Sequence, residues 1–349
     1  MGCNERKAII SKIESHRKSR VICYLTSNRQ NADVGINKDV IPIFLDHLRR
    51  IGKRDKIDVF IYTSGGDTLA AFGVARLIRE FSPRLGVLIP MQCHSAGTLL
   101  ALGANDIVMT AGATLSPIDP SVVGALNPAV EIAPGQRQMV PLSVETVAGF
   151  KDLVTRDWDI KGEDALVAAF KTLAEKVHPL ALGDVYRARN QIEMLARTLM
   201  QAHRTDSDTV EHVIKKLARE LGSHDYPISR MEARELLKSQ VAAEDETLEA
   251  LLLELLADFE AEMELRKPFT PDISLAAARI AGQTGPITVT HKLAFIETAE
   301  AGDVAERDLV INQPSAQLPL GAPPQLLASI PKPPMQVTIV RGEWRHYVC

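Results

Sequence analysis

The stretch LGVLIPMQCHSAGTLLALGAN, residues 85–105, decides how this chain folds. Its first six residues form a short apolar run of the kind that makes a strand buried on both faces, and Ser95 then opens a segment of small residues and Leu with helical character. The same order occurs just upstream. IDVFIYT (57–63) reads as a strand, SGGD (64–67) as a turn and TLAAFGVARLIREF (68–81) as a helix, with Leu69, Phe72, Leu77, Ile78 and Phe81 at mixed helical spacing. DIVMT (106–110) supplies another strand. Such alternation predicts parallel strands joined by right-handed crossovers, with both turns at the carboxyl edge of one sheet and therefore close in space.

Working outward, VICYL (21–25) is a further strand, and KDVIPIFLDHLRRIG (38–52) places Val40, Ile43, Phe44, His47 and Leu48 on a helix that stops at Gly52. From Glu163 to Ser239 the sequence is mostly helical. DETLEALLLELLADFEAEMELR (245–266) follows, with Leu around much of its circumference, as either a core helix or an oligomer contact. Beyond Pro268 the composition shifts. Residues 311–334 are too rich in Pro for regular structure and read as an extended arm, and MQVTIVRGEW (335–344) reads as an edge strand. The expected division is residues 1–267 as one domain and 268–349 as a C-terminal extension.

Composition excludes several function classes. With 349 residues, 46% of them hydrophobic, the chain can bury a large core. A net charge of −4 with scattered basic residues gives no stripe to neutralise phosphates, so no nucleic-acid partner is expected. Cys3, Cys23, Cys93 and Cys349 lie far apart, which argues against a disulfide framework and a thiolate metal site and fits a reducing cytoplasm. The start MGCNERKAII has no apolar signal core and carries Arg6 where myristoylation takes Ser or Thr, and residues 86–105 are too interrupted to span a bilayer. No leader, lipid anchor, membrane partner, metal or cofactor is expected.

The two turns carry the chemistry. Ser95 could be a plain helix cap, but Ala96, Gly97, Ala101, Gly103 and Ala104 let its helix approach another backbone closely and leave the hydroxyl and the Ala96 amide facing the turn. Gly65 and Gly66 can aim further amides outward without a blocking side chain. Two amides from different turns and a hydroxyl make an acyl-transfer site. The α/β-hydrolase elbow is excluded by Cys93 two residues before Ser95, and the glycines of SGGDTLAAFG fit neither a dinucleotide fingerprint nor a P-loop.

IDVFIYTSGGD, VLIPMQCHSAGTLLALGANDIVM and ATLSPIDP, at these intervals, resemble the serine dehydrogenase proteinase family. That family is similar to the Clp protease proteolytic subunit and to signal peptide peptidase A. The resemblance covers about Arg20 to Lys238. It implies a ClpP/crotonase-like α/β spiral of β-α units with a mostly parallel sheet, and an oligomeric serine peptidase. Ser95 would be its nucleophile, and the Gly66 and Ala96 amides its oxyanion hole beside Gly65.

The general base is left open. The Clp subunit carries its catalytic His where this chain has Asp119, while SHDYPISRMEA (223–233) resembles the segment bearing the Clp triad Asp and places Asp225 there beside His224. An exchanged pair, with His224 as base and Asp119 as orienter, satisfies the chemistry. His178 and Lys176 are rivals, because they precede the helix that in signal peptide peptidase A follows the catalytic Lys. Each has a plain alternative: His178 as a helix cap, Asp119 as an Asx turn between Pro117 and Pro120. Two other functions fit the same fold, a crotonase-type acyl-thioester enzyme and a non-catalytic binding or assembly protein.

Overall fold

The computed structural model describes residues 3–133, 135–204, 206–313 and 334–348. The chain separates into two compact units, one built from residues 1–35 and 246–349 and the other from 36–245. The expected boundary at 267/268 thus falls inside a unit rather than between two. The reason is strand pairing, since N-terminal and C-terminal segments complete one sheet.

In chain order the elements that matter are α1 (Cys3–Arg17), β1 (Arg20–Thr26), α2 (Val40–Ile51), β2 (Lys56–Tyr62), α3 (Thr68–Phe81), β3 (Arg84–Ile89), β4 (Gln92–Cys93) and α4 (Ala96–Leu102). They continue with β5 (Asp106–Met109), β6 (Thr114–Leu115), α5 (Val144–Asp152), α6 (Glu163–Lys176), α7 (Pro179–Gln201) and α8 (Ser207–Lys215). The remainder are β7 (Ile228–Ser229), α9 (Arg230–Leu237), α10 (Glu246–Met263), β8 (Ile287–Glu297), β9 (Ala301–Asn312) and β10 (Gln336–Val348).

The unit formed by residues 36–245 contains the expected β-α units. β2 pairs in parallel with β3, and β3 in parallel with β5. All seven residues of β2 are buried, its five apolar side chains together with Lys56 and Asp58, which pair at 3.7 Å. The helix between β2 and β3 turns its small face inward: Ala70, Ala71, Val74, Ala75 and Ile78 are buried while Leu69 is exposed. Small side chains there let α3 lie close to α4, every residue of which is buried. A second, three-stranded sheet is ordered β7-β6-β4, with β4 parallel and β7 antiparallel to β6.

The other unit is an antiparallel sheet ordered β10-β9-β8-β1. The C-terminal extension is therefore more strand-rich than its composition implies, and the edge strand foreseen at 335–344 is β10. The Pro-rich arm foreseen at 311–334 falls mostly on residues 314–333, outside the described residues. The acidic, Leu-rich helix is α10. It packs on α1 and β8 with Leu248, Leu252, Leu255, Leu256, Phe259 and Met263 buried, so most of its Leu-rich surface is spent on the core. Arg6 is buried there, its Nη1 2.7 Å from Asp258 Oδ2 and its Nε 3.0 Å from Glu297 Oε1. Charges can be buried only when paired in this way.

Candidate active site

Ser95 stands between β4 and α4 with φ 51° and ψ −113°, a backbone conformation that costs a non-glycine residue about 1–3 kcal/mol and persists only where its surroundings enforce it. Here the enforcing contact is the Ser95 N–H, which donates to Ser116 Oγ at 2.8 Å. Ser116 is fixed in turn, its N–H donating to Thr98 Oγ1 at 3.1 Å while Thr98 Oγ1 donates to the Cys93 carbonyl at 2.9 Å. The Ser95 side chain caps nothing and the residue is half-buried. The plain cap reading of this serine therefore fails.

The glycine turn lies against it. Thr63 and Cys93 form a bridge, in which the Thr63 N–H donates to the Gln92 carbonyl at 3.1 Å and the His94 N–H to the Thr63 carbonyl at 3.1 Å. Gln92 Nε2 adds a bond to Ser64 Oγ at 3.0 Å. Gly65 and Gly66 hold φ of 110° and 139°, values that favour glycine. A Cβ on Gly65 would stand 2.6 Å from Ser95 Cβ and 3.2 Å from its Oγ. Gly97 has the same role within α4: a Cβ there would meet Thr63 Cγ2 at 2.6 Å. Among the described residues no hydrogen bond from the Gly66 or Ala96 N–H to a protein acceptor is found.

His224 Nδ1 is 2.9 Å from Asp119 Oδ1. Asp119 is fully buried, whereas the His224 side chain is 39% exposed. The bond to Asp119 raises the His224 pKa against the opposing effect of burial. Asp225 is exposed, its N–H on Ser223 Oγ at 3.3 Å, and its charge also favours the protonated His224. Topology explains why these residues belong to one neighbourhood. In the β7-β6-β4 sheet, Ser95 follows the end of β4, Asp119 follows the end of β6 and His224 precedes β7, which runs the opposite way. All three leave the same edge of that sheet. His94, beside Ser95, donates or accepts at Thr114 Oγ1 through Nε2 at 2.8 Å; burial chiefly lowers its pKa, and the charges of Asp225 and His224 act on it too.

His178 is elsewhere in its bonding: it caps α7, with Nδ1 accepting the Leu180 N–H at 3.2 Å, and it is exposed. Lys176, the last residue of α6, is exposed as well. Two residues escaped the sequence reading. Ser116 sits within ATLSPIDP, and its place directly after a strand and before Pro117 is the available signal. Glu145, the second residue of α5, had none. It comes to Asp119 because Ser121–Val122 and Leu142–Ser143 pair antiparallel and the Val144 N–H donates to the Pro120 carbonyl at 3.4 Å. Burial first, then the charge of Asp119, raises the Glu145 pKa. No His, Cys, Asp or Glu cluster among the described residues could hold a metal ion.

Residues 2–145 match the model of the family described as ClpP-like SDH-type serine proteinase, the family of the sequence resemblance. Two uncharacterized proteins of Methanocaldococcus jannaschii are each 28% identical over 243 residues, which is 66% of this chain and 71% and 70% of theirs. Among solved structures, ClpP1 from Listeria monocytogenes covers 67% of this chain at 15% identity with a TM-score of 0.36. A membrane-bound stomatin-specific protease covers 66% at 13% identity, also with a TM-score of 0.36. In this chain, no helix among the described residues is long and apolar enough to cross a membrane.

Proposed function

We propose that this protein is a serine peptidase acting on protein or peptide substrates, with Ser95 as nucleophile, His224 as general base and Asp119 as its orienter. The observation that carries the assignment of the base is the 2.9 Å His224–Asp119 bond at the sheet edge that also bears Ser95. Asp119 accepts from Nδ1, so the other ring nitrogen is the one available to take a proton.

In this reading Ser95 Oγ bonds to the scissile carbonyl carbon as its proton passes to His224 Nε2. The carbonyl oxygen, now negative, is held by the Gly66 and Ala96 N–H groups. Collapse breaks the C–N bond, and the leaving amine takes the proton from His224. Water then attacks the acyl-enzyme by the same route, releasing the acid and free Ser95. The buried Asp119 carboxylate stabilises the imidazolium formed in both halves. The buried free thiols of Cys23 and Cys93 agree with work in a reducing cytoplasm.

A fluorophosphonate probe tests the reading. Folded wild-type protein labels, Ser95→Ala does not, and His224→Gln labels at least about a hundredfold more slowly while His178→Gln is unaffected. Failure of the folded wild type to label would favour the acyl-thioester or non-catalytic alternatives. Equal labelling of His224→Gln and wild type would move the base elsewhere.

A further inference from the structure

Helices α5, α6 and α7 border an apolar groove of about 250 Å³. Val147 and Phe150 of α5, Val154, Leu166 and Phe170 of α6, and Leu182 of α7 line it. Val154 belongs to the π-helical turn Leu153–Asp157 that continues α5, and such turns are rare and recur mostly at functional sites. α6 buries no residue and Phe170 is 57% exposed, so the core of this chain does not consume the apolar surface of the groove.

The polar residues of the groove select its occupant. Thr155 donates its hydroxyl to the Lys151 carbonyl at 2.9 Å. The other two are Lys151 and Arg189, for neither of which an ion-pair partner is found among the described residues, and Arg189 Nε is buried without a hydrogen-bond partner. Both cations also line an adjoining polar cavity of about 560 Å³. The other cations of that cavity are matched, Arg156 with Asp152, Lys215 with Glu220 and Arg219 with Glu193. Glu145, its remaining acid, interacts with Asp119 and His224. Two unmatched positive charges therefore stand where an apolar groove meets a polar cavity.

That pattern calls for a ligand with one anionic head and an apolar remainder. An extended peptide would bring backbone donors and acceptors, and helical walls, whose own backbone groups are paired internally, have no partners to offer them. An aliphatic chain needs none, and a carboxylate complements a guanidinium.

We propose that this groove binds a single-chain aliphatic carboxylate, its head at Arg189 and Lys151 and its chain against α5 and α6. The proposal is independent of the catalytic reading, because no step of that reading uses these residues.

Calorimetric titration of the full chain with decanoate, decan-1-ol, decyltrimethylammonium and butyrate tests this. Decanoate should saturate at one per chain. Decyltrimethylammonium, with the wrong charge, and butyrate, with too short a chain, should each bind at least about tenfold more weakly. R189Q should weaken decanoate about tenfold while changing decan-1-ol little, and F170D should weaken both. Neither position is fully buried, and circular dichroism of the two variants checks that they fold. Absent or unsaturable decanoate binding, equal affinity for decanoate and decyltrimethylammonium, or an R189Q that binds decanoate like wild type would overturn the proposal. So would decanoate binding that disappears as the chain self-associates in sedimentation velocity, since the groove would then belong to a second copy.

Discussion

Gly65 lies so close to Ser95 that no side chain fits between them: an added Cβ would meet Ser95 Cβ at 2.6 Å and the His94 carbonyl at 3.0 Å. Both obstacles belong to the turn that presents the hydroxyl. Gly65→Ala must therefore displace Ser95 itself, in addition to straining a backbone at φ 110°. The expected result is loss of fluorophosphonate labelling by about a hundredfold, with a stability cost of about 1–3 kcal/mol in urea unfolding. Labelling at the wild-type rate would show that the glycine turn does not border the reactive hydroxyl.

The same logic applies to Ser116. Its hydroxyl accepts the only described bond from the Ser95 N–H, which holds the serine in its strained conformation. Ser116→Ala should cost about 1 kcal/mol of stability and slow labelling about tenfold, while Ser116→Thr, which keeps an acceptor oxygen, recovers some of the rate. Stopped-flow or gel-based labelling kinetics would measure both.

A pH prediction follows from the His224–Asp119 bond. The bond raises the His224 pKa, so the free base is lost as pH falls through a midpoint above the ordinary histidine value of about 6.5. Labelling should rise with pH through that midpoint. His94 shifts the opposite way through burial and does not contribute there. In Asp119→Asn the acceptor charge is gone, so the midpoint should move down and the plateau rate fall. NMR titration of the imidazoles checks the midpoints without any activity, and an upward move in the variant would refute the assignment.

Arg6 bears on stability alone. Its guanidinium lies against Asp258, Glu262 and Glu297 and over the rings of Phe259 and Phe295. Arg6→Ala leaves two buried carboxyl groups, Asp258 and Glu297, without their cation and should destabilise the fold by about 3–5 kcal/mol. Chemical denaturation would register that loss. A change below about 1 kcal/mol would mean that the carboxyl groups find water or protons instead.

The amino-acid sequence alone determined the local pieces. Apolar runs at 57–63 and 85–90, glycines at 65 and 66 and a serine heading a small-residue helix are read from spacing and side-chain size, because burial on both faces and positive φ each demand particular residue types. That much establishes β-α units and a hydroxyl beside two glycines. What spacing cannot convey is which distant segments meet. Asp119 and His224 are 105 residues apart and bond only because β7 runs antiparallel to β6; Glu145 reaches them through a pairing at 121–122 and 142–143. The same holds for residues 268–349, whose composition pointed to an extension but whose strands complete a sheet begun by β1. Hydrogen bonds between strands are made by backbone groups that nearly every residue carries, so pairing leaves only a faint trace in the sequence, and only the folded chain decided it.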